Sequence, residues 1–134
     1  MRKKGQISIE YIVITGFIFV ILTGLMIYAY SEANRTITLN KAEESVINLV
    51  KIADIVHTLG EGNQALTWIN VPGAIESFEM TGRNLNLDFH IQEETTGVHY
   101  RSLAQLNGTL PTTQGSYRIR ATAINSSHVH FDIK

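Results

Sequence analysis

The chain has 134 residues, with 11 Lys and Arg against 12 Asp and Glu, a formal charge of −1 and no cysteine. Disulfides, thiolate metal sites and cysteine nucleophiles are therefore excluded, and a weakly acidic, unclustered surface argues against a nucleic-acid partner held by phosphate neutralisation. The 44% hydrophobic content is concentrated at the N-terminus, which leaves little for a large soluble core.

Residues 1–5, Met-Arg-Lys-Lys-Gly, are short and basic, and residues 11–30 form an apolar run without a charge. Twenty helical residues at 1.5 Å each reach about 30 Å, the thickness of a bilayer's hydrocarbon core. Three basic residues before the run orient it with the N-terminus cytoplasmic and the remainder outside. No A-x-A-like cleavage site follows at Tyr28-Ala29-Tyr30-Ser31-Glu32, so cleavage after the run is not expected. Glu10 stands at the mouth of this segment. A carboxylate there needs a polar boundary or a partner, and an acid in a first turn also favours the helix dipole.

The residues around Glu10 narrow the choice. Gly5-Gln6-Ile7-Ser8-Ile9-Glu10-Tyr11-Ile12 resembles the class III signal peptide of archaeal type IV pilins: a basic leader, Gly, then Gln-x-Ser-x-Glu-Tyr-Leu and an apolar helix. The sequence departs from that pattern only at Ile12, where the family has Leu. The resemblance implies cleavage between Gly5 and Gln6 by a membrane prepilin peptidase acting on the cytoplasmic side. It also places Glu10 at the family's characteristic glutamate. Without Arg2, Lys3 and Lys4, eight bases face twelve acids and the formal charge becomes −4 before the new amine is counted. Charge pairing between that amine on Gln6 and a neighbouring subunit's Glu10 would lower the cost of holding both in an apolar filament core. Tyr11, beside Glu10, belongs to the same assembly motif.

Thr15-Gly16 and Thr23-Gly24 repeat a small pair eight residues apart. Small residues let membrane helices approach closely, and glycine is also simply commoner in such helices; Gly16 or Gly24 could equally mark local unwinding. Between residues 31 and 59 there is no Pro or Gly. Leu39, Ala42, Val46, Leu49, Ala53 and Val56 recur at spacings of three and four, which predicts an amphipathic continuation of the same helix, its stripe packed on the chain's own C-terminal domain. Gly60-Glu61-Gly62-Asn63 supplies the stop. From Gln6 to Leu59 such a helix would be about 80 Å long.

Beyond Asn63 the period changes to two. Leu85, Leu87, Phe89 and Ile91 alternate with polar residues, as do Val129, Phe131 and Ile133, predicting half-buried strands. Further strands are expected over 65–71, 75–80, 98–101 and 116–124. Turns are expected at Pro72-Gly73, 81–84, Thr96-Gly97, Asn107-Gly108, Gln114-Gly115 and Asn125-Ser126. The segment from Val71-Pro-Gly to Pro111 also looks like β-domains found behind class III signal peptides. About six or seven strands would make a compact antiparallel sheet or sandwich over residues 64–134. A core this small gains burial from the helical stripe.

No nucleophile motif, phosphate-binding glycine loop or paired metal motif occurs, so no enzyme, catalytic residue, cofactor or metal is expected. His128, His130 and Asp132 share one strand face, but neighbours two apart on a strand are about 7 Å apart, too far for easy joint ligation. His57 reads as a partner of the helix dipole or a carbonyl. Glu93-Glu94 reads as a solvated turn. The sequons at Asn107 and Asn125 fall in expected exposed turns and are the favoured glycosylation candidates, whereas Asn34 lies on the long helix and is open to shielding there, which makes it the doubtful one.

The resemblance and the residue pattern together imply an α+β, type IV pilin-like fold. A leader (1–5), a membrane and filament-core helix (6–30), an amphipathic continuation (31–59) and a β-rich surface domain (64–134) follow in order. The expected role is a structural subunit of an archaeal surface filament used for adhesion. It starts as a membrane-inserted precursor and becomes extracellular, with the prepilin peptidase, a pilus assembly ATPase and its membrane platform as partners. Two other readings stay open: a minor pilin-like component of a secretion or binding assembly, and a single-pass membrane-anchored extracellular ligand-binding domain.

Overall fold

The computed structural model describes residues 8–73, 75–91 and 93–134 with their side chains, and the backbone of the first helix from Arg2. The processing positions Gly5 and Gln6 thus lie outside the described side chains. The chain divides into two units, Met1–Thr36 and Ile37–Lys134. Helix α1 (Arg2–Leu59) runs for 58 residues as uninterrupted α-helix, so neither Gly16 nor Gly24 unwinds it. It stops where the sequence demands. Gly60 and Gly62 adopt φ of 96° and 85°, values that glycine reaches without a Cβ clash. Asn63 Nδ2 then donates to the carbonyls of Leu59 at 2.8 Å and Gly60 at 3.1 Å, satisfying groups at the helix end.

In the second unit, seven strands follow: β1 (Gln64–Val71), β2 (Ile75–Thr81), β3 (Asn84–Ile91), β4 (Glu94–Arg101), β5 (Gln105–Gly108), β6 (Gly115–Ala123) and β7 (His128–Ile133). They form a four-stranded sheet, β1-β6-β7-β5, and a three-stranded sheet, β2-β3-β4. The α+β layout expected from the sequence is present: a long N-terminal helix whose second half packs on a small β-domain, consistent with a pilin-like fold. Ala42, Val46, Leu49, Ala53 and Val56 are fully buried, and Leu39 packs partly against the same core. The core also takes Ile69, Ile119, Ala121 and Phe131 from one sheet and Phe78, Leu85, Leu87 and Phe89 from the other. Burying a Val or Leu side chain contributes roughly 1.5–3 kcal/mol, so the stripe outweighs any single polar contact holding the helix.

The strand pattern differs from expectation in three places. Thr96-Gly97 is not a turn, because β4 begins at Glu94 and pairs with β3 along its whole length. A Cβ at Gly97 would run into Asp88 Oδ1 and lie 2.6 Å from His99 Nε2, so this glycine makes room for side chains rather than turning the chain. The turn lies just before it, with Glu93 at φ 70° and Ile91 paired to Glu94. Asn107-Gly108 is also not a turn but the end of β5. That strand pairs parallel with β7, so the domain is mixed rather than wholly antiparallel.

Among the described residues, Glu43, Ser45 and Asp54 pin the helix to the β-domain through polar contacts. Tyr100 Oη donates to Glu43 Oε1 at 2.9 Å. Asp54 Oδ1 accepts Ser102 Oγ at 2.6 Å and Leu103 N at 2.8 Å. Ser45, 2% exposed, is the most buried of these groups. Its Oγ lies 2.7 Å from Asn70 O and 2.9 Å from Lys41 O and accepts Asn70 N at 3.1 Å. β1 is an edge strand, so its backbone groups facing away from β6 need such a partner. Ser45→Ala is expected to cost about 1–3 kcal/mol, the penalty for stranding those groups, read as a lowered urea midpoint of the full chain in detergent. An unchanged midpoint would mean that water takes over the hydroxyl's bonds to the Asn70 backbone.

The Tyr100 hydroxyl is held above its ordinary pKa of 10.0, first by donating to Glu43, then by desolvation and by the Glu43 charge. A raised folded-state pKa means that the contribution of this contact is complete below the unfolded value and lost as pH rises through the folded one. Stability should therefore fall more steeply above about pH 10 in the wild type than in Tyr100→Phe, as compared by denaturation at pH 8 and pH 11.

Candidate functional site

The candidate site is the first half of α1. Its large apolar side chains face outward: Tyr11, Phe17 and Met26 are 73%, 68% and 75% exposed, and the other large apolar residues of 11–30 are exposed as well. The helix is long and apolar enough to cross a membrane. As a membrane anchor or a signal sequence, such a segment places an apolar surface where lipid can cover it. Thr23 Oγ1 donates to Phe19 O at 2.8 Å, which satisfies a hydroxyl inside the run without a partner from outside the helix.

Glu10 lies in the helix and is exposed, next to exposed Tyr11. It sits just ahead of the uncharged run, so the segment carries one carboxylate at one end. A Cβ added at Gly16 or Gly24 would meet nothing within 4 Å. Both positions are shallow points on the helix surface, open to close approach by another helix.

The remaining candidates fall elsewhere. Asn34 lies on α1 and is exposed in the single chain. Asn107 is exposed but sits in β5, with its Oδ1 accepting Gly108 N at 2.7 Å. Asn125 does sit in a turn, and its Oδ1 organises that turn by accepting Ser127 N and His128 N, each at 2.9 Å. The sequence alone missed this structural role; Asn two and three residues ahead of its acceptor-bonded backbone is the signal for it. His128 Nδ1 lies 2.9 Å from Ser127 Oγ and 3.1 Å from Asn125 Oδ1, so that ring is engaged within its own turn. Among the described residues no three His, Asp or Glu side chains are grouped to hold a metal. His57 Nδ1 is buried with no hydrogen-bond partner among the described residues, so the carbonyl contact expected there is not made by that atom. Comparison with protein-family models, curated proteins and solved structures finds no match.

Proposed function

We propose that the chain is a non-enzymatic structural subunit of an archaeal type IV pilus-like surface filament. The observation that carries this reading is the exposed, uncharged helix surface of residues 11–30, headed by Glu10 inside the Gly5-Gln6-x-Ser8-x-Glu10-Tyr11 motif. The precursor inserts with its N-terminus cytoplasmic, is cut after Gly5, and exchanges lipid for neighbouring helices. Packing of apolar helix surface drives polymerisation, with Gly16 and Gly24 allowing close approach. The Gln6 amine and a neighbour's Glu10 help set axial register. The β-domains face outward and serve adhesion, and a pilus assembly ATPase with its membrane platform extracts the subunits.

The test is the mature N-terminus of the native protein, read by mass spectrometry beside electron microscopy of the cell surface. Gln6 at the terminus and filaments containing the chain are expected; replacing Gly5 by a bulky residue should abolish cutting, since an extended backbone in a peptidase cleft has no room for the side chain. A terminus at Met1 or Arg2 would instead assign a membrane-anchored ligand-binding domain. Correct processing with only trace amounts in filaments would assign a minor component of a secretion or binding assembly.

A further inference from the structure

Both sheets of the second unit turn one face to the common core, and their outer faces differ in charge. On the four-stranded sheet, the register sets Trp68 opposite Arg118 and Leu66 opposite Arg120. Trp68 is 64% exposed, Leu66 is exposed, and Lys134 lies beside Arg120 and Leu66. Neither arginine forms an ion pair among the described residues. Asp132, in register with Arg120, is the one carboxylate on this face, and Glu44 rims it beyond Trp68. The outer face of the three-stranded sheet reverses the balance. It carries Glu76, Glu79 and Asp88 against Arg101 and the imidazoles of His90 and His99, with Ser77 and Thr95 donating to Asp88 and Glu76 and His99 Nε2 3.9 Å from Asp88 Oδ1. Glu93 and Glu94 add two further acids at the β3–β4 connection.

We infer that these two faces bind each other between copies of the chain, the Trp68, Arg118 and Arg120 face of one subunit docking on the Glu76, Glu79 and Asp88 face of the next. An exposed Trp beside two arginines is the composition of an interface centre, and a carboxylate-rich surface of the same molecule complements it. Because the two patches are different, the contact is head-to-tail, and each docked pair leaves one face of each kind unused. Such a contact does not close as a two-fold dimer, and where its rotation does not close a ring it propagates into an open polymer. The inference rests on the filament reading and supplies it with a contact between surface domains, separate from helix bundling.

The experiment uses the full chain in detergent micelles, where detergent covers the apolar helix and self-association reports the domain contact. Sedimentation velocity at low salt should show self-association that 0.5 M salt removes. Arg118→Glu/Arg120→Glu makes both faces acidic, and Glu76→Lys/Glu79→Lys makes both basic. Each variant alone should associate about tenfold or more weakly than wild type, and an equimolar mixture of the two should restore association. Far-UV circular dichroism checks folding, and the neutral Arg118→Gln/Arg120→Gln pair serves if the reversal unfolds the domain. A wild type that stays dispersed at low salt, a folded variant that associates normally, or a mixture that stays dispersed overturns the proposal. So does a basic-face variant that loses only retention on an anionic polysaccharide column, since that assigns the face to a different occupant. Variants that fail here yet build normal filaments in cells remove this contact and leave the filament reading standing; a wild type without filaments removes the filament reading itself.

Discussion

A chain carrying Glu10→Ala should be trimmed normally and yet leave cells without filaments. The proposed cut lies between Gly5 and Gln6, on the cytoplasmic side of the membrane, so removing the carboxylate would leave the scissile backbone untouched. Assembly is a different matter. In the proposed filament core, the amine created on Gln6 needs a counter-charge in an apolar surrounding. Breaking a buried charge pair by deleting one partner costs about 3–5 kcal/mol, because the other charge is left uncompensated. At 1.4 kcal/mol per tenfold, that loss raises the subunit concentration needed for polymerisation by roughly two orders of magnitude or more. Glu10→Gln should fail for the same reason, since an amide cannot supply the charge, whereas Glu10→Asp should keep partial assembly. Mass spectrometry of the processed terminus and filament counts by negative-stain microscopy measure the two steps separately. Filaments of normal number built from Glu10→Ala subunits would show that the carboxylate does not set register.

Replacing Gly108 by alanine should destabilise the β-domain by about 3 kcal/mol or more. Two independent costs meet at this position. Its φ of 128° lies where an L side chain is strained, and a Cβ there would overlap the Phe131 carbonyl oxygen and lie 2.7 Å from the Phe131 nitrogen. Both obstacles are backbone atoms of β7, the strand that pairs with β5, so neither can swing aside. Phe131 itself is fully buried, which limits any backbone shift that might relieve the clash. The Asn107 sequon survives, because alanine is allowed between the Asn and the Thr, so glycosylation and stability can be read apart. Gly62→Ala is the internal control: φ there is also positive, at 85°, but nothing lies within 4 Å of an added Cβ, and the loss should be nearer 1 kcal/mol. Urea unfolding of the full-length chains compares the two. Equal midpoints would mean that the β5–β7 contact yields.

The same glycine shows where sequence reasoning stops. Asn-Gly is among the strongest turn signals, and a four-residue strand such as β5 is too short to display a period that could overrule it. Its partner lies more than twenty residues downstream and runs parallel, a relationship local spacing does not encode. Gly97 misleads in the same way: the need for space beside Asp88 and His99 is tertiary. The helical stripe was readable because a helix seated on a sheet must bury one side, and burial forces the spacing of three and four from Leu39 to Val56. Val50 and Ile52 are buried too, outside that narrow stripe, because the core draws on both sheets. Of the candidate site, the apolar run and the place of Glu10 were readable from charge and length. The opposed charges of the two outer faces were not, because Arg118 and Trp68 become neighbours only through the β1–β6 register.

That register also sets an order of events. Val71 pairs with Gly115 and Gln64 with Thr122, so β1 has no partner until more than forty further residues have been synthesised. Pairings this distant in sequence form late, after the loop entropy between them has been overcome. The apolar N-terminal helix, by contrast, is complete as soon as it leaves the ribosome. In the proposed precursor, insertion can therefore be finished while the stripe from Ala42 to Val56 still lacks its β-domain. During that interval the apolar side chains of the stripe, buried in the finished domain, have no sheet to cover them.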